Sequence, residues 1–218
     1  MSSQEPYIKQ MEIGPMANYV YLLGATGSKD AVVVDPAWDI DAIVEAAERD
    51  GRRIVGALVT HWHPDHTNGL QELVDKTDAA VYVNAEDVPW LPSPVGNLKP
   101  ARPGDALQLG DVKVEFLHTP GHTPGSQCFL VRGRLLSGDT LFIDACGRTD
   151  LPGGDPEELY RSLSGTLRNL DDRTIVLPGH NYAPVPSATI GEQKISNPFL
   201  ACASLTAFLR MTGGRLGL

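Results

Sequence analysis

The chain has 218 residues, of which 42% are hydrophobic and 21% are charged. This length and composition predict one folded domain with a large core and exclude an intrinsically disordered protein. The formal net charge of −9 argues against nucleic acid as a partner, because a polyanion binds to positively charged surfaces.

The three cysteines, Cys128, Cys146 and Cys202, form no C-x-x-C pair. This spacing supports neither a cysteine zinc site nor a dithiol redox centre, and it favours reduced thiols in a cytosolic compartment. The N-terminal residues show no apolar run typical of a signal peptide, and no segment approaches the ~20 apolar residues that span a bilayer. We therefore expect a cytoplasmic protein that associates with no membrane.

The first half of the chain alternates strand and helix patterns. Apolar runs joined by glycine and aspartate predict a β-hairpin, and helical spacing of apolar residues from Asp39 to Asp50 predicts a helix that Gly51 ends. The predicted elements are, in chain order, strands at 19–23 and 31–34, a helix at 39–50, a strand at 54–60, a helix through 70–74 and a strand at 80–83.

The second half begins with a proline-rich stretch at 89–103, which predicts a surface loop that borders a pocket. Asp155 and Pro156 indicate the start of a helix. The remaining predictions are strands at 112–117, 128–131, 135–136 and 174–177, and helices at 156–169 and 198–210. Two batches of strands, each followed by a helix, indicate sheet packed between helices with no domain boundary.

Residues 60–66 read T-H-W-H-P-D-H and carry three imidazoles and one carboxylate on a single short segment. These side chains are His61, His63, Asp65 and His66, and they include half of the six histidines in the chain. Neutral imidazole nitrogens and ionised carboxylates bind divalent ions such as Zn²⁺. The segment therefore predicts a metal site, and four ligands on one loop can reach two adjacent ions.

Three later predicted strands are each followed by another histidine or aspartate that could bind a metal. His122 lies in T-P-G-H-T-P-G, Asp139 in S-G-D-T and His180 in P-G-H. The prolines and glycines around them favour tight turns that let the backbone come close to a site. We expect these three side chains to join the cluster at 61–66.

The order of these motifs resembles that of the metallo-β-lactamase superfamily, and the match runs from Tyr19 to His180. The resemblance implies an α/β (α+β) fold, a four-layer αββα sandwich in a single domain, with metals at one edge of the two sheets. Asp35, in the family's V-D-P position, would support the site from behind the ligands. The implied ligands are His61, His63 and His122 for one metal, Asp65, His66 and His180 for the second, and Asp139 as a bridge.

The resemblance also implies the chemistry. Two divalent ions, zinc first and iron or manganese as alternatives, would hold a bridging hydroxide whose pKa is about 7, oriented by Asp65 and Asp139. The implied enzyme is a metallo-hydrolase that needs no Ser or Cys nucleophile. Cys128 and Cys146 are then structural, whereas the placement of His118 suits a hydrogen bond that supports the site.

The segments at 146–150, 181–182 and 189–198 resemble the glyoxalase II and persulfide dioxygenase branch. In that branch a basic residue and a tyrosine, at the positions of Arg148 and Tyr182, face the glutathione moiety. The guanidinium of Arg148 is well suited to bind a carboxylate of glutathione. The leading hypothesis is hydrolysis of a small thioester or ester, with a glutathione thioester as one candidate. The alternative is a mononuclear iron persulfide dioxygenase using His61, His122 and Asp139. Hydrolysis of β-lactams or lactones, RNA processing and non-catalytic metal binding are less favoured.

Overall fold

The structure, a computed structural model, describes residues 5–213. Its strands are β1 (Tyr7–Ile13), β2 (Asn18–Gly24), β3 (Asp30–Val34), β4 (Arg53–Leu58), β5 (Ala80–Asn84), β6 (Leu98–Ala101), β7 (Ala106–Leu109), β8 (Val112–His118), β9 (Gln127–Val131), β10 (Arg134–Gly138), β11 (Leu141–Phe142), β12 (Ala145–Cys146), β13 (Ile175–Pro178) and β14 (Ala188–Thr189). One sheet contains β1 to β6 in chain order. The second has the order β14-β13-β10-β9-β8-β7, and β11 pairs with β12 alone.

The helices of the described residues are α1 (Ile40–Arg49), α2 (Pro64–Thr67), α3 (Leu70–Thr77), α4 (Pro156–Arg161), α5 (Ile190–Ser196) and α6 (Leu205–Thr212). All but the short α2 pack on the outer faces of the two sheets. Asp39 caps α1 and Asp155 caps α4, each by accepting backbone N–H groups of the first turn. None of the helices between residues 5 and 213 is long and apolar enough to cross a membrane.

Both faces of the first sheet are buried, which explains its continuous apolar strands. In β2, Tyr21 and Leu23 pack in the core between the sheets, whereas Val20 and Leu22 pack in the core that includes α1 and α3. Successive side chains of a strand point to opposite faces, so one apolar run serves both cores. A third core joins the outer face of the second sheet to α4, α5 and α6. The predicted αββα sandwich is confirmed.

Hydrogen bonds tie the two sheets together at one edge. The backbone N–H of Gln127 donates to the carbonyl of Thr60 at 2.8 Å, and the N–H of Tyr19 donates to the carbonyl of Gly179 at 2.8 Å. Both contacts lie where strands of the two sheets end. The loops that follow these strands are therefore held next to one another.

The prediction that 89–103 is entirely loop is wrong. Its last residues form β6, which pairs in parallel with β5 at the edge of the first sheet. Pro100 is tolerated in β6 because an edge strand need not donate every N–H to a neighbour. The segments at 7–13 and 106–109 also form strands, β1 and β7, that the apolar pattern did not indicate.

The predicted helix at 198–210 is also wrong in its bounds. Helix α5 ends at Ser196, and α6 begins only at Leu205. Asn197 stops α5 because its amide donates to the carbonyl of Ala145 at 2.9 Å and its oxygen accepts from the N–H of Phe199 at 3.0 Å. The predicted helix at 156–169 is helical throughout, but it continues from α4 as a π-helical turn and a 3₁₀ turn.

Candidate metal centre

The seven predicted ligands lie together at the edge where the sheets meet. Each follows the end of a strand or lies on the short helix α2, so the fold, and not their spacing in the chain, brings them together. His61 and His63 follow β4, Asp65 and His66 lie on α2, His122 lies between β8 and β9, Asp139 follows β10, and His180 lies two residues after β13.

His61, His63 and His122 form one group, called here the histidine trio. One ring nitrogen from each lies within 4.8 Å of the other two. Nδ1 of His63 is 3.0 Å from Nε2 of His122, and all three side chains are buried. Three imidazole nitrogens that converge in this way can hold one tetrahedral ion and leave a position open.

Asp65, His66 and His180 form the second group, called here the mixed trio. Oδ2 of Asp65 lies 3.4 Å from Nε2 of His66 and 3.4 Å from Nε2 of His180. The two Nε2 atoms are 3.2 Å apart. This group offers two nitrogens and one carboxylate oxygen to a second ion.

Asp139 lies between the two trios. Its Oδ1 is 3.4 Å from Nε2 of His66, and its Oδ2 is 3.4 Å from Nε2 of His180. Oδ2 also lies 3.7 Å from Nε2 of His122, which belongs to the histidine trio. The carboxylate is therefore within reach of both groups, at the place where the resemblance puts a bridging ligand.

Backbone carbonyls orient two of the imidazoles. Nδ1 of His122 donates to the carbonyl of Arg148 at 2.7 Å, and Nδ1 of His180 donates to the carbonyl of Met16 at 2.9 Å. A carbonyl oxygen only accepts, so in the neutral form of either ring the proton is on Nδ1. The lone pair on Nε2 then faces the cluster, as metal binding requires.

Asp35 orients two more of the buried rings, those of His61 and His66, through a short chain of hydrogen bonds. Its Oδ2 lies 2.9 Å from Nδ1 of His66 and accepts the hydroxyl of Thr60 at 2.6 Å. Because Thr60 donates its proton to Asp35, its oxygen accepts from Nδ1 of His61 at 3.0 Å. Asp35 thus acts on one histidine of each trio, behind the ligands.

Some buried polar atoms of the ligand residues lack a hydrogen-bond partner in the described part of the chain. Two of them, Nε2 of His61 and Oδ1 of Asp139, belong to the ligand cluster, whereas the unpaired Nε2 of His63 lies on the side of its ring opposite the Nδ1 that faces His122. A buried polar atom without a partner costs about 1–3 kcal/mol, so two in one place indicate a bound group that satisfies them. Imidazole nitrogens and carboxylate oxygens are a donor set for Zn²⁺ or iron. The residues present fit divalent metal ions.

The two trios differ in their electrostatics. Burial opposes a charge on His180, but hydrogen bonds to nearby carboxylates outweigh it and raise its pKa to about 10, so that ring is cationic until a metal ion replaces its proton. Burial lowers the pKa of His63 to about 4, helped by the neighbouring His122, and burial also lowers the pKa of His61. These rings are neutral at pH 7, the form that binds a metal. Burial alone would raise the pKa of Asp139, but the nearby His66 outweighs it and lowers that pKa, so this carboxylate is ionised.

Two glycines allow the backbone to come close to the ligands. A Cβ at Gly147 would lie 2.0 Å from the carbonyl oxygen of Asp139 and 3.0 Å from Nδ1 of His122. A Cβ at Gly179 would lie 2.3 Å from Oδ1 of Asp139. Any larger residue at either position would displace Asp139, which explains why glycine stands next to the ligands here.

The two predicted substrate contacts differ in their surroundings. The ring of Tyr182 stacks on the ring of His180, with centroids 4.6 Å apart and planes 9° apart. Arg148 instead directs its guanidinium to Asp150, in a two-pronged ion pair at 2.6 and 2.7 Å. Both charged groups of that pair are exposed, and Arg148 and Cys146 line a cavity of about 560 Å³.

Cys128 and His118 hold the loop around His122 and do not contact the ligands. The thiol of Cys128 is buried against the hydroxyl of Thr119 at 3.3 Å, and burial raises its pKa to about 11. Nε2 of His118 donates to the carbonyl of Pro124 at 3.0 Å. Burial raises the pKa of Cys146 to about 12, so neither thiol is an activated nucleophile.

Asn18 and Asp87 are polar residues of the site that the sequence motifs did not indicate. The amide of Asn18 donates to Oδ2 of Asp65 at 3.1 Å, and Asp87 accepts hydrogen bonds from loops next to the ligands. Neither lies in a histidine motif. The N-x-x-D and D-x-x-W spacings at 84–90 mark only Asp87 and are common in turns, and no such spacing marks Asn18.

The chain matches the sequence model of the Metallo-beta-lactamase superfamily over residues 13–180 and belongs to that superfamily. PksB of Bacillus subtilis, a probable polyketide biosynthesis zinc-dependent hydrolase, is 28% identical, with 79% of this chain and 77% of PksB covered. ETHE1 from Myxococcus xanthus has a similar structure, with a TM-score of 0.87, 30% identity and 95% and 90% of the two chains covered. TTHA1623, solved in a di-iron-bound form, gives a TM-score of 0.76, 30% identity and 88% and 99% coverage.

Proposed function

We propose that the protein is a hydrolase that depends on divalent metal ions and cleaves a thioester or ester bond. The observation that carries this proposal is the position of Asp139 between the two trios, within 3.7 Å of a ligand nitrogen in each. When bound, the ions supply an acidified water molecule and polarise the substrate carbonyl. The relative PksB is named a probable zinc-dependent hydrolase, which supports zinc as the first candidate for the metal.

The chain's own residues position the reacting groups. Asp65 and Asp139 are ionised carboxylates, so each can accept a hydrogen bond from the attacking water and orient it. Asn18 donates to Oδ2 of Asp65 and thereby fixes the orientation of that carboxylate. Tyr182, stacked on His180 and mostly exposed, places a phenol hydroxyl at the mouth of the site, where it can donate to a substrate oxygen.

The surroundings of the cluster favour an apolar substrate. Four of the eight large hydrophobic side chains that are exposed in the described residues lie next to a ligand or its support, and they are Met16, Trp38, Trp90 and Tyr182. Trp90 stacks on Trp62, which contacts the ring of His63. An exposed apolar group of this kind marks a binding surface. We infer that the acyl group or the leaving group is apolar, and Arg148 remains the candidate contact for an anionic substrate such as a glutathione thioester.

A second candidate function is oxidation of a persulfide at one iron ion, held by His61, His122 and Asp139. The similarity in structure to ETHE1 over 95% of the chain supports it, and a di-iron form of a 30% identical protein shows that iron enters this fold. A facial set of two histidines and one carboxylate is typical of non-haem iron sites. Asp139 lies 3.7 Å from Nε2 of His122, as such a set requires.

Metal analysis of protein purified without added metal distinguishes the two functions. We expect about two zinc ions per chain and cleavage of a neutral acyl thioester, because both trios are complete. Removal of the metal with a chelator should abolish cleavage, and added zinc should restore it. One iron per chain with O₂ uptake on a persulfide, and no thioester cleavage, would overturn the hydrolase proposal.

Replacing Trp90 with alanine tests the apolar surface. We expect KM for a neutral long-chain acyl thioester to rise about tenfold with little change in kcat, since losing an apolar contact costs about 1–3 kcal/mol of binding. Arg148→Ala is the matched variant. It should leave KM for the neutral substrate unchanged and raise KM only for an anionic thioester. An unchanged KM in the Trp90 variant would place the acyl group elsewhere.

A further inference from the structure

Asp87 is a buried carboxylate that forms no ion pair within the part of the chain that the structure describes. It follows β5, its side chain is fully buried, and no Lys, Arg or His within residues 5–213 forms an ion pair with it. Burial raises the pKa of Asp87 to about 6. Burying a carboxylate without an ion pair is costly, so the hydrogen bonds that Asp87 accepts must offset that cost.

Those contacts all reach the two loops that carry the histidine trio. Oδ2 of Asp87 accepts from the backbone N–H of Trp62 at 3.0 Å and from the hydroxyl of Thr123 at 2.7 Å. Oδ1 accepts from the backbone N–H of Gly125 at 2.6 Å. Trp62 stands between His61 and His63, and Thr123 directly follows His122.

The two loops belong to different sheets, and Asp87 is a link between them at this point. Trp62 follows β4 of the first sheet, whereas Thr123 and Gly125 lie between β8 and β9 of the second. One carboxylate group thus joins segments of the two sheets close to the histidine trio, in addition to the backbone hydrogen bond from Gln127 to Thr60. A Cβ at Gly125 would lie 2.5 Å from Cγ of Asp87, so the fit is close.

We propose that Asp87 is a positioning residue for the histidine trio, holding the His61–His63 loop and the His122 loop at the separation at which one metal ion binds. It touches neither the ion nor the substrate. The proposal rests on the metal-binding function proposed above. The mixed trio has no contact with Asp87, so its affinity for metal should not depend on this residue.

Asp87→Asn is the most informative change, because the side chain keeps its size. An amide has one acceptor oxygen and one NH₂ group. One of the two backbone N–H groups, of Trp62 or of Gly125, would therefore face the NH₂ group of the asparagine and lose its acceptor. Substitutions behind a metal ligand usually reduce metal affinity 10–100-fold. We expect a loss of this size for one of the two Co²⁺ equivalents, with the other unchanged within about twofold.

The measurement is a Co²⁺ titration of the metal-free protein, followed by the absorption of the bound ion and checked by competition with a coloured chelator. The variant His122→Ala already lacks the metal site of the histidine trio. In that variant the additional change Asp87→Asn should have no further effect on Co²⁺ binding, because the effects of coupled residues are not additive. Phe208→Leu, in a buried position on α6 away from the site, controls for general loss of stability.

The outcomes separate this proposal from the proposed function. If the unmodified protein binds two Co²⁺ ions and Asp87→Asn binds both equally well, Asp87 has no positioning role. Equal weakening of both ions, or the same weakening in Phe208→Leu, also overturns that role, since either result reflects stability alone. If the unmodified protein binds no metal, the proposed function itself is wrong.

Discussion

Replacing Asp139 with alanine is expected to remove metal from both trios and to reduce kcat/KM for the acyl thioester by more than about 100-fold. Changes to residues that only support a ligand cost 10–100-fold, and Asp139 faces ligand nitrogens of both trios directly. Its loss also removes the negative charge that lies between the two sets of imidazoles. The protein should still fold, because the cores between the layers do not include this side chain.

The measurements are the metal content after dialysis, by mass spectrometry, and the rate of thioester cleavage. Asp172→Ala is a matched control, because Asp172 is an exposed carboxylate whose ion pair is with Lys194 and not with a residue of either trio. That variant should retain full metal content and turnover. Retention of both metals by the Asp139 variant would show that the carboxylate is not a shared ligand.

Replacing Asp35 with alanine should lower both metal affinity and the stability of the metal-free protein. Asp35 accepts from the N–H of Thr60 at 2.7 Å, from the hydroxyl of Thr60 at 2.6 Å and from His66 at 2.9 Å. Leaving these buried donors without an acceptor should lower the free energy of unfolding by about 3 kcal/mol or more. This corresponds to a decrease in Tm of about 6–12 °C for a chain of this size. The metal affinity should fall 10–100-fold, because two ligand rings lose their orientation.

Asp35→Asn separates the two effects. Asp35 has a φ of +53°, a left-handed conformation that asparagine tolerates better than alanine does. The asparagine oxygen can still accept from one of the three donors, so we expect a smaller decrease in Tm than for alanine. Calorimetry of the metal-free proteins and metal competition assays would test this. An unchanged metal affinity in both variants would mean that the rings of His61 and His66 are held by packing alone.

The sequence predicted correctly those helices and strands whose ends and apolar spacing are marked by residues close together in the chain. Helix α1 lies where apolar spacing, Asp39 and Gly51 placed it, and the hairpin of β2 and β3 follows from two apolar runs. The start of α5 is also encoded locally, in the T-I-G-E capping box at 189–192. Helix α5 was nevertheless not predicted, and the helix predicted at 198–210 overlaps α6, which begins only at Leu205.

Strands whose pairing depends on distant segments were predicted less well. β1 reads Y-I-K-Q-M-E-I, a mixed pattern, because it lies at the edge of its sheet and has only partly buried side chains. β6 contains a proline and is defined only by its parallel pairing with β5. In neither case do neighbouring residues carry a pattern that distinguishes an edge strand from a loop.

The ligand set could be read from the chain because metal binding demands particular atoms, and few residue types supply them. Histidine and aspartate motifs at strand ends therefore indicated all seven side chains that the fold brings together. The inward direction of Nε2 in His122 and His180 could not be read in this way, because it depends on carbonyls of Arg148 and Met16 from distant loops. The role of Asp87 likewise depends on two sheets meeting, and hydrogen bonds between segments far apart in the chain leave no local pattern.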